Sequence, residues 1–172
     1  MEKKKRLNVS YLVPFLFAVY IVLLVWIILF KLQLSIHELG TIRSINLIPF
    51  YYENEIGMRF HIKEVVENIM IFVPFGIYLC MLKYRLSFKV NSVIILAASA
   101  TLEIFQYVLA VGRSDITDII TNTCGGIIGI GIYGLATKIF HDEQRVNKVI
   151  TIFAAIVTVM IVALLSVLLI SN

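Results

Sequence analysis

The sequence predicts an all-α, polytopic transmembrane helical bundle of about five spans. Three observations point that way. Of 172 residues, 60% are hydrophobic and the mean hydropathy is +0.94, whereas a soluble domain sits nearer about 45–50% apolar. Several apolar runs reach the roughly 20 residues that cross about 30 Å of hydrocarbon. The charged residues gather in short clusters between those runs, so the net charge of +4 and pI near 9.1 read as topology signals and not as a nucleic-acid surface. No polar stretch is long enough to fold separately, and one domain accounts for the length.

The first ten residues, MEKKKRLNVS, form a basic head before an apolar run from Tyr11 to Phe30. That run is longer than a signal-peptide core, and KLQLSIHEL after it lacks a small-residue cleavage site. It therefore predicts an uncleaved first helix, with Pro14 near its start where proline is tolerated. A polar connection over about 32–63 follows, in which Asn46–Phe50, Tyr51, Tyr52 and Phe60 suit a segment resting on the membrane interface. The second helix is expected from near Glu64 to near Met81, with Pro74 and Gly76 in its middle. Proline removes a backbone donor, so a neighbouring helix or polar side chain has to serve the freed backbone.

KYRLSFK is a basic loop before a third helix over about Val90–Leu109, where Ala97, Ala98, Ser99 and Ala100 offer a small-residue packing surface. VGRSD is a tight connection in which Gly112 is expected to supply the turn. A fourth helix is expected over Ile116–Ile139, then the basic loop TKIFHDEQRVNKV, then a wholly apolar last helix over about 149–170. Cys80 and Cys124 both fall inside spans and are expected to pack as small apolar side chains. With the N-terminus inside, ten Lys and Arg residues face the cytoplasm and five face out. The positive-inside rule thus predicts N-terminus in, C-terminus out, and a multi-pass protein of the cell membrane.

Polar residues at membrane depth are costly and mark function. Asn68 on the second helix, Glu103 and Gln106 on the third, and Arg113, Asp115, Asp118 and Asn122 at the start of the fourth fall at one level in this topology. That level is the outer half of the bilayer: Glu103 lies roughly 10 Å below the outer end of its helix at about 1.5 Å per residue. Glu103, Gln106 and Tyr107 share a helical face, as do Asp115, Asp118 and Asn122, and Gly125 and Gly129 extend the second stripe into a close-packing seam. Three carboxylates cannot all stay charged and unpaired there. Either Arg113 bridges two of them or one carries a proton. The plainer alternative is that the amides and carboxyls are hydrogen-bond glue between helices. His37, His61 and His141 lack metal-ligand spacing, no serine or cysteine shows a nucleophile motif, and no metal or cofactor is expected.

These residues resemble the VanZ-like family. The matching pieces are NLIPF (Asn46, Pro49 and Phe50 among them), N-x5-PFG (Asn68, Pro74, Phe75, Gly76), E-x2-Q (Glu103, Gln106) and R-x-D-x2-D-x3-N-x2-G from Arg113 to Gly125. The resemblance covers about residues 10–140. It implies a VanZ-like membrane domain over 1–140, with 141–172 as a cytoplasmic loop and an added C-terminal helix. It also implies a link to glycopeptide resistance, the founding member being associated with low-level teicoplanin resistance in Gram-positive bacteria. The expected partners are the lipid bilayer and a lipid-linked cell-wall precursor or a glycopeptide antibiotic. Two other functions remain open at this point. One is an intramembrane enzyme using paired carboxylates on a lipid-linked phosphate or sugar, and the other is a small transporter or assembly subunit.

Overall fold

Five long apolar helices and two five-residue strands make up the structure, a computed structural model that describes residues 9–30, 42–51, 55–82 and 86–171. In chain order they are α1 (Val9–Phe30), β1 (Ile42–Asn46), α2 (Glu55–Met81), α3 (Phe88–Leu109), β2 (Val111–Asp115), α4 (Ile116–Phe140) and α5 (Glu143–Ser171). All five helices are long and apolar enough to cross a membrane.

The tightest pairing is α2 with α4, which run side by side in the same direction. Glycine makes it possible. A methyl group on Gly125 would fall on the Ile69 carbonyl, one on Gly129 on the Val73 carbonyl, and one on Gly76 on the Gly126 carbonyl. The two backbones therefore touch directly, as small-residue spacing allows in a membrane. Around this pair, Leu24, Ile28, Phe72, Phe75, Ile95 and Leu102 from α1, α2 and α3 form one apolar core. A second core at the far end joins Val13, Leu16, Tyr78, Tyr133 and Val146, bringing in α5. Helix α5 is peripheral, with only 6% of its most apolar stretch fully buried in the protein, and more than half of its side chains are exposed.

A side chain from another helix bonds the backbone in the turn ahead of Pro74, though not at the carbonyl that the proline frees. The Tyr20 hydroxyl of α1 donates to the Ile71 carbonyl at 2.6 Å, in the turn ahead of the proline, although the carbonyl that formally loses its donor is that of Met70. Tyr20 sits in an aromatic cluster with Phe17, Phe75 and Tyr78, with centroids 5.3–6.4 Å apart.

Four expectations need correction. Helix α2 begins at Glu55, not near Glu64: the polar first turns are still helical, carrying the exposed pairs His61–Glu64 (3.3 Å) and Lys63–Glu67 (3.6 Å), so polarity marks where the helix leaves the hydrocarbon and not where it starts. The basic loop after α4 shrinks to His141 and Asp142. His141, in the left-handed region at φ 52°, caps α4, and the Asp142 Oδ1 accepts from the Arg145 N–H at 3.0 Å to open α5. The turn after α3 comes from Ala110 at φ 54°, not from Gly112, which lies in β2. Cys124 is exposed and Cys80 half-buried, so only Cys80 packs inside the protein.

The strands were not expected. β1 and β2 pair in parallel, with Ile42 beside Val111 and Asn46 beside Asp115. Parallel strands need a long crossover, and here α2 and α3 supply it. The connection between the first two spans is thereby tied to the short one between α3 and α4.

Candidate functional site

The ladder ends at Asp115, and the site is built outward from that residue. Asp115 closes β2 and caps α4: its Oδ1 accepts from the Thr117 N–H at 2.8 Å, satisfying one of the donors that a helix start leaves open. Its Oδ2 accepts from Asn46 Nδ2 at 2.8 Å, and its own N–H donates to Glu103 Oε2 at 2.8 Å. One residue thus links β1, β2, α3 and α4. Asn46 in turn folds the NLIPF segment over itself, its amide bonding both the N–H and the carbonyl of Ile48 at 3.2 Å. Two residues further on, the Phe50 N–H donates to Thr117 Oγ1 at 3.1 Å. Phe50 is held at φ 55°, a conformation that costs a non-glycine residue roughly 1–2 kcal/mol and is retained because the Thr117 bond fixes it.

One turn into α4, Asp118 Oδ1 accepts from Asn68 Nδ2 of α2 at 2.8 Å. The glycine seam sets this up by bringing Ile69, next to Asn68, against Gly125. Asp118 also lies in the first turn, where a carboxylate complements the helix dipole. Deeper again, Asn122 Nδ2 donates to Ser99 Oγ at 3.0 Å, both residues 1% exposed or less. On α3, Ser99, Glu103 and Gln106 form one buried face, and Gln106 Nε2 donates to the Ile28 carbonyl at 3.1 Å. Ile28 lies near the end of α1 as described.

The structure therefore joins Asn68 to Asp118, Glu103 to Asp115 and Asn122 to Ser99, and sets Gln106 against α1. Arg113 stands apart: it is exposed on β2 and, among the described residues, forms no ion pair with Asp115 or Asp118. Asp115 is instead served by an amide and a backbone N–H, which deliver donors to a buried carboxylate without the cost of burying a guanidinium. Tyr107 points outward, 40% exposed, while its helical neighbours Glu103 and Gln106 are buried.

Three members of the network escaped the sequence reading. Asn46 stood there as a motif residue and is a direct partner of Asp115. Ser99 sits four residues before Glu103, and that spacing alone was signal enough. Thr117, inside the first turn of α4, had only its residue type to mark it.

Among the described residues, three buried acceptors in this network lack a hydrogen-bond partner: Glu103 Oε1, Gln106 Oε1 and Asn122 Oδ1. Their residues are at most 5% exposed. Each such atom costs about 1–3 kcal/mol relative to a paired one, so the site is short of donors. Among the described residues, no group of His, Cys, Asp and Glu is arranged to hold a metal ion.

Five apolar helices closed around a polar network define a small polytopic helical membrane protein. The match to known sequences is specific, because the VanZ/LLP1 family model covers residues 17–141. The chain belongs to the VanZ/LLP1 family. It is similar to Protein VanZ of Enterococcus faecium, at 38% identity over 143 residues that span 82% of this chain and 84% of that protein. No solved structure matches it.

Proposed function

We propose that this protein lies in the cell membrane with its N-terminus inside and its C-terminus outside. In that orientation its polar network, in the outer half of the bilayer, binds a lipid-linked cell-wall precursor and thereby modulates susceptibility to teicoplanin-type glycopeptides. The observation that carries the reading is the donor shortage: among the described residues, Glu103, Gln106 and Asn122 each keep a buried acceptor without a partner. A ligand rich in O–H and N–H groups, as sugar and peptide head groups are, supplies what the site lacks. The ten-to-five split of basic residues supports the orientation. Membership of the VanZ/LLP1 family supports the link to glycopeptides.

Susceptibility to teicoplanin tests it, measured in a Gram-positive host with and without expression, and then with Glu103→Gln and Asp118→Asn. Expression should lower susceptibility, and each substitution should return it toward the level without expression while membrane yield holds. Unchanged susceptibility on expression, or full effect from both variants, would overturn the proposal.

A further inference from the structure

The stretch from Ile45 to Tyr51, INLIPFY, contains no charged residue, and its apolar side chains are turned out of the protein. Leu47 is 74% exposed and Ile48 60%, and Ile45, Pro49, Phe50 and Tyr51 are exposed with them. Only Asn46 is buried, against Asp115. A run of exposed apolar side chains this dense marks a contact surface.

Two hydrogen bonds fix its level. Asn46 is joined to Asp115, the cap of α4, and the Phe50 N–H to Thr117 Oγ1 in the first turn of that helix. Residues 46–50 therefore run beside the first turn of a span. The 25 residues of α4 are about 37 Å long at about 1.5 Å per residue. That exceeds the roughly 30 Å of hydrocarbon and falls short of the roughly 40–45 Å of the whole bilayer, so the first turn lies at the boundary of acyl chains and head groups.

The backbone suits that place. Where water is scarce, peptide groups need partners from the protein. Pro49 brings no N–H, and those of Ile48 and Phe50 are taken by Asn46 Oδ1 and Thr117 Oγ1, while Asn46 Nδ2 serves the Ile48 carbonyl. A protein partner adding a strand here would need those same groups open. Side chains are what the segment has left to offer, and they are apolar.

We propose that residues 45–51 form an interfacial wedge whose partner is the lipid bilayer itself. Leu47, Ile48 and Phe50 lie among the upper acyl carbons, and the Tyr51 ring lies at head-group level, where tyrosine is enriched. Because Asn46 belongs to both wedge and polar network, the wedge also sets the depth at which the network is held. This holds whichever side of the membrane the wedge faces.

The test is tryptophan fluorescence of the full chain in phosphatidylcholine nanodiscs. Trp26→Phe removes the single native tryptophan, and Leu47→Trp or Ile48→Trp supplies a new one at an exposed position. Ile156→Trp, exposed near the middle of α5, calibrates the hydrocarbon, and Arg145→Trp, exposed at the start of α5, calibrates water. Emission from positions 47 and 48 should be lost more to lipid brominated beside the head group than to lipid brominated at the chain ends, and should resist aqueous iodide. Position 156 should show the opposite order of the two lipids. Iodide quenching as strong as at position 145 puts the segment in water and overturns the proposal. Stronger loss to chain-end bromine places it too deep, and loss to neither lipid nor iodide means that protein covers it, a neighbouring segment or a second copy; both overturn the proposal. Each of the two positions reports alone, so one poorly folded variant leaves the other to decide.

Discussion

Replacing Asp115 by alanine removes two acceptors at once. The Thr117 N–H loses its cap, and Asn46 Nδ2 loses its 2.8 Å partner and keeps only the 3.2 Å bond to Ile48. A lost N-cap costs about 1 kcal/mol, and side-chain hydrogen bonds between membrane segments are worth about 0.6–1.7 kcal/mol. Asp115→Ala should therefore destabilise the fold by roughly 1.5–3 kcal/mol. Asp115→Asn keeps the cap but turns an N–H toward the Asn46 amide, donor against donor, and should cost only the second amount. Combining it with Asn46→Asp exchanges donor for acceptor across the same pair, and the swapped protein should regain most of the loss. Purified protein titrated with dodecyl sulfate in mixed micelles and followed by the single tryptophan, Trp26, gives the free energies. The reasoning fails if Asp115→Ala costs less than about 0.5 kcal/mol, or if the swap is no more stable than the sum of its single variants.

The glycine seam makes a paired prediction. Gly125→Ala drives a methyl into the Ile69 backbone and should cost about 1–3 kcal/mol, whereas Gly131→Ala meets open space and should be neutral or gain up to about 1 kcal/mol of helix propensity; equal effects in the same titration would sink the close-contact argument. Orientation is read by labelling after Cys80 and Cys124 are replaced by alanine. Arg113→Cys should react with a membrane-impermeant maleimide on intact cells and Arg145→Cys only after permeabilisation, and the reverse pattern would move the polar network to the inner leaflet.

The helices and their polar positions were legible because hydropathy and helical spacing are local properties. Five apolar runs mark five spans, and the spacing of Asp115, Asp118, Asn122, Gly125 and Gly129 marks one face. Contacts that close over long sequence distances were not legible. VGRSD contains glycine and aspartate, poor strand formers, and becomes β2 only because Ile42–Asn46 lies beside it. The expected Arg113 bridge rested on charge alone, whereas the structure satisfies Asp115 with Asn46, an amide 69 residues away. The start of α2 was misplaced for a related reason, since hydropathy locates the hydrocarbon boundary and a helix continues past it.

That 69-residue separation also sets an order of events during synthesis. At roughly 5–20 residues per second, Asn46 is incorporated about 3–14 s before Asp115. Through that interval the NLIPF segment has no ladder, no Asp115 and no Thr117 hydroxyl to hold Phe50. By the time Asp115 is made, the intervening α2 and α3 are already complete. The network can therefore close only late, once the preceding spans have been made. A chain stalled before α4 presents Asn46, Asn68 and Glu103 without the partners that β2 and α4 supply.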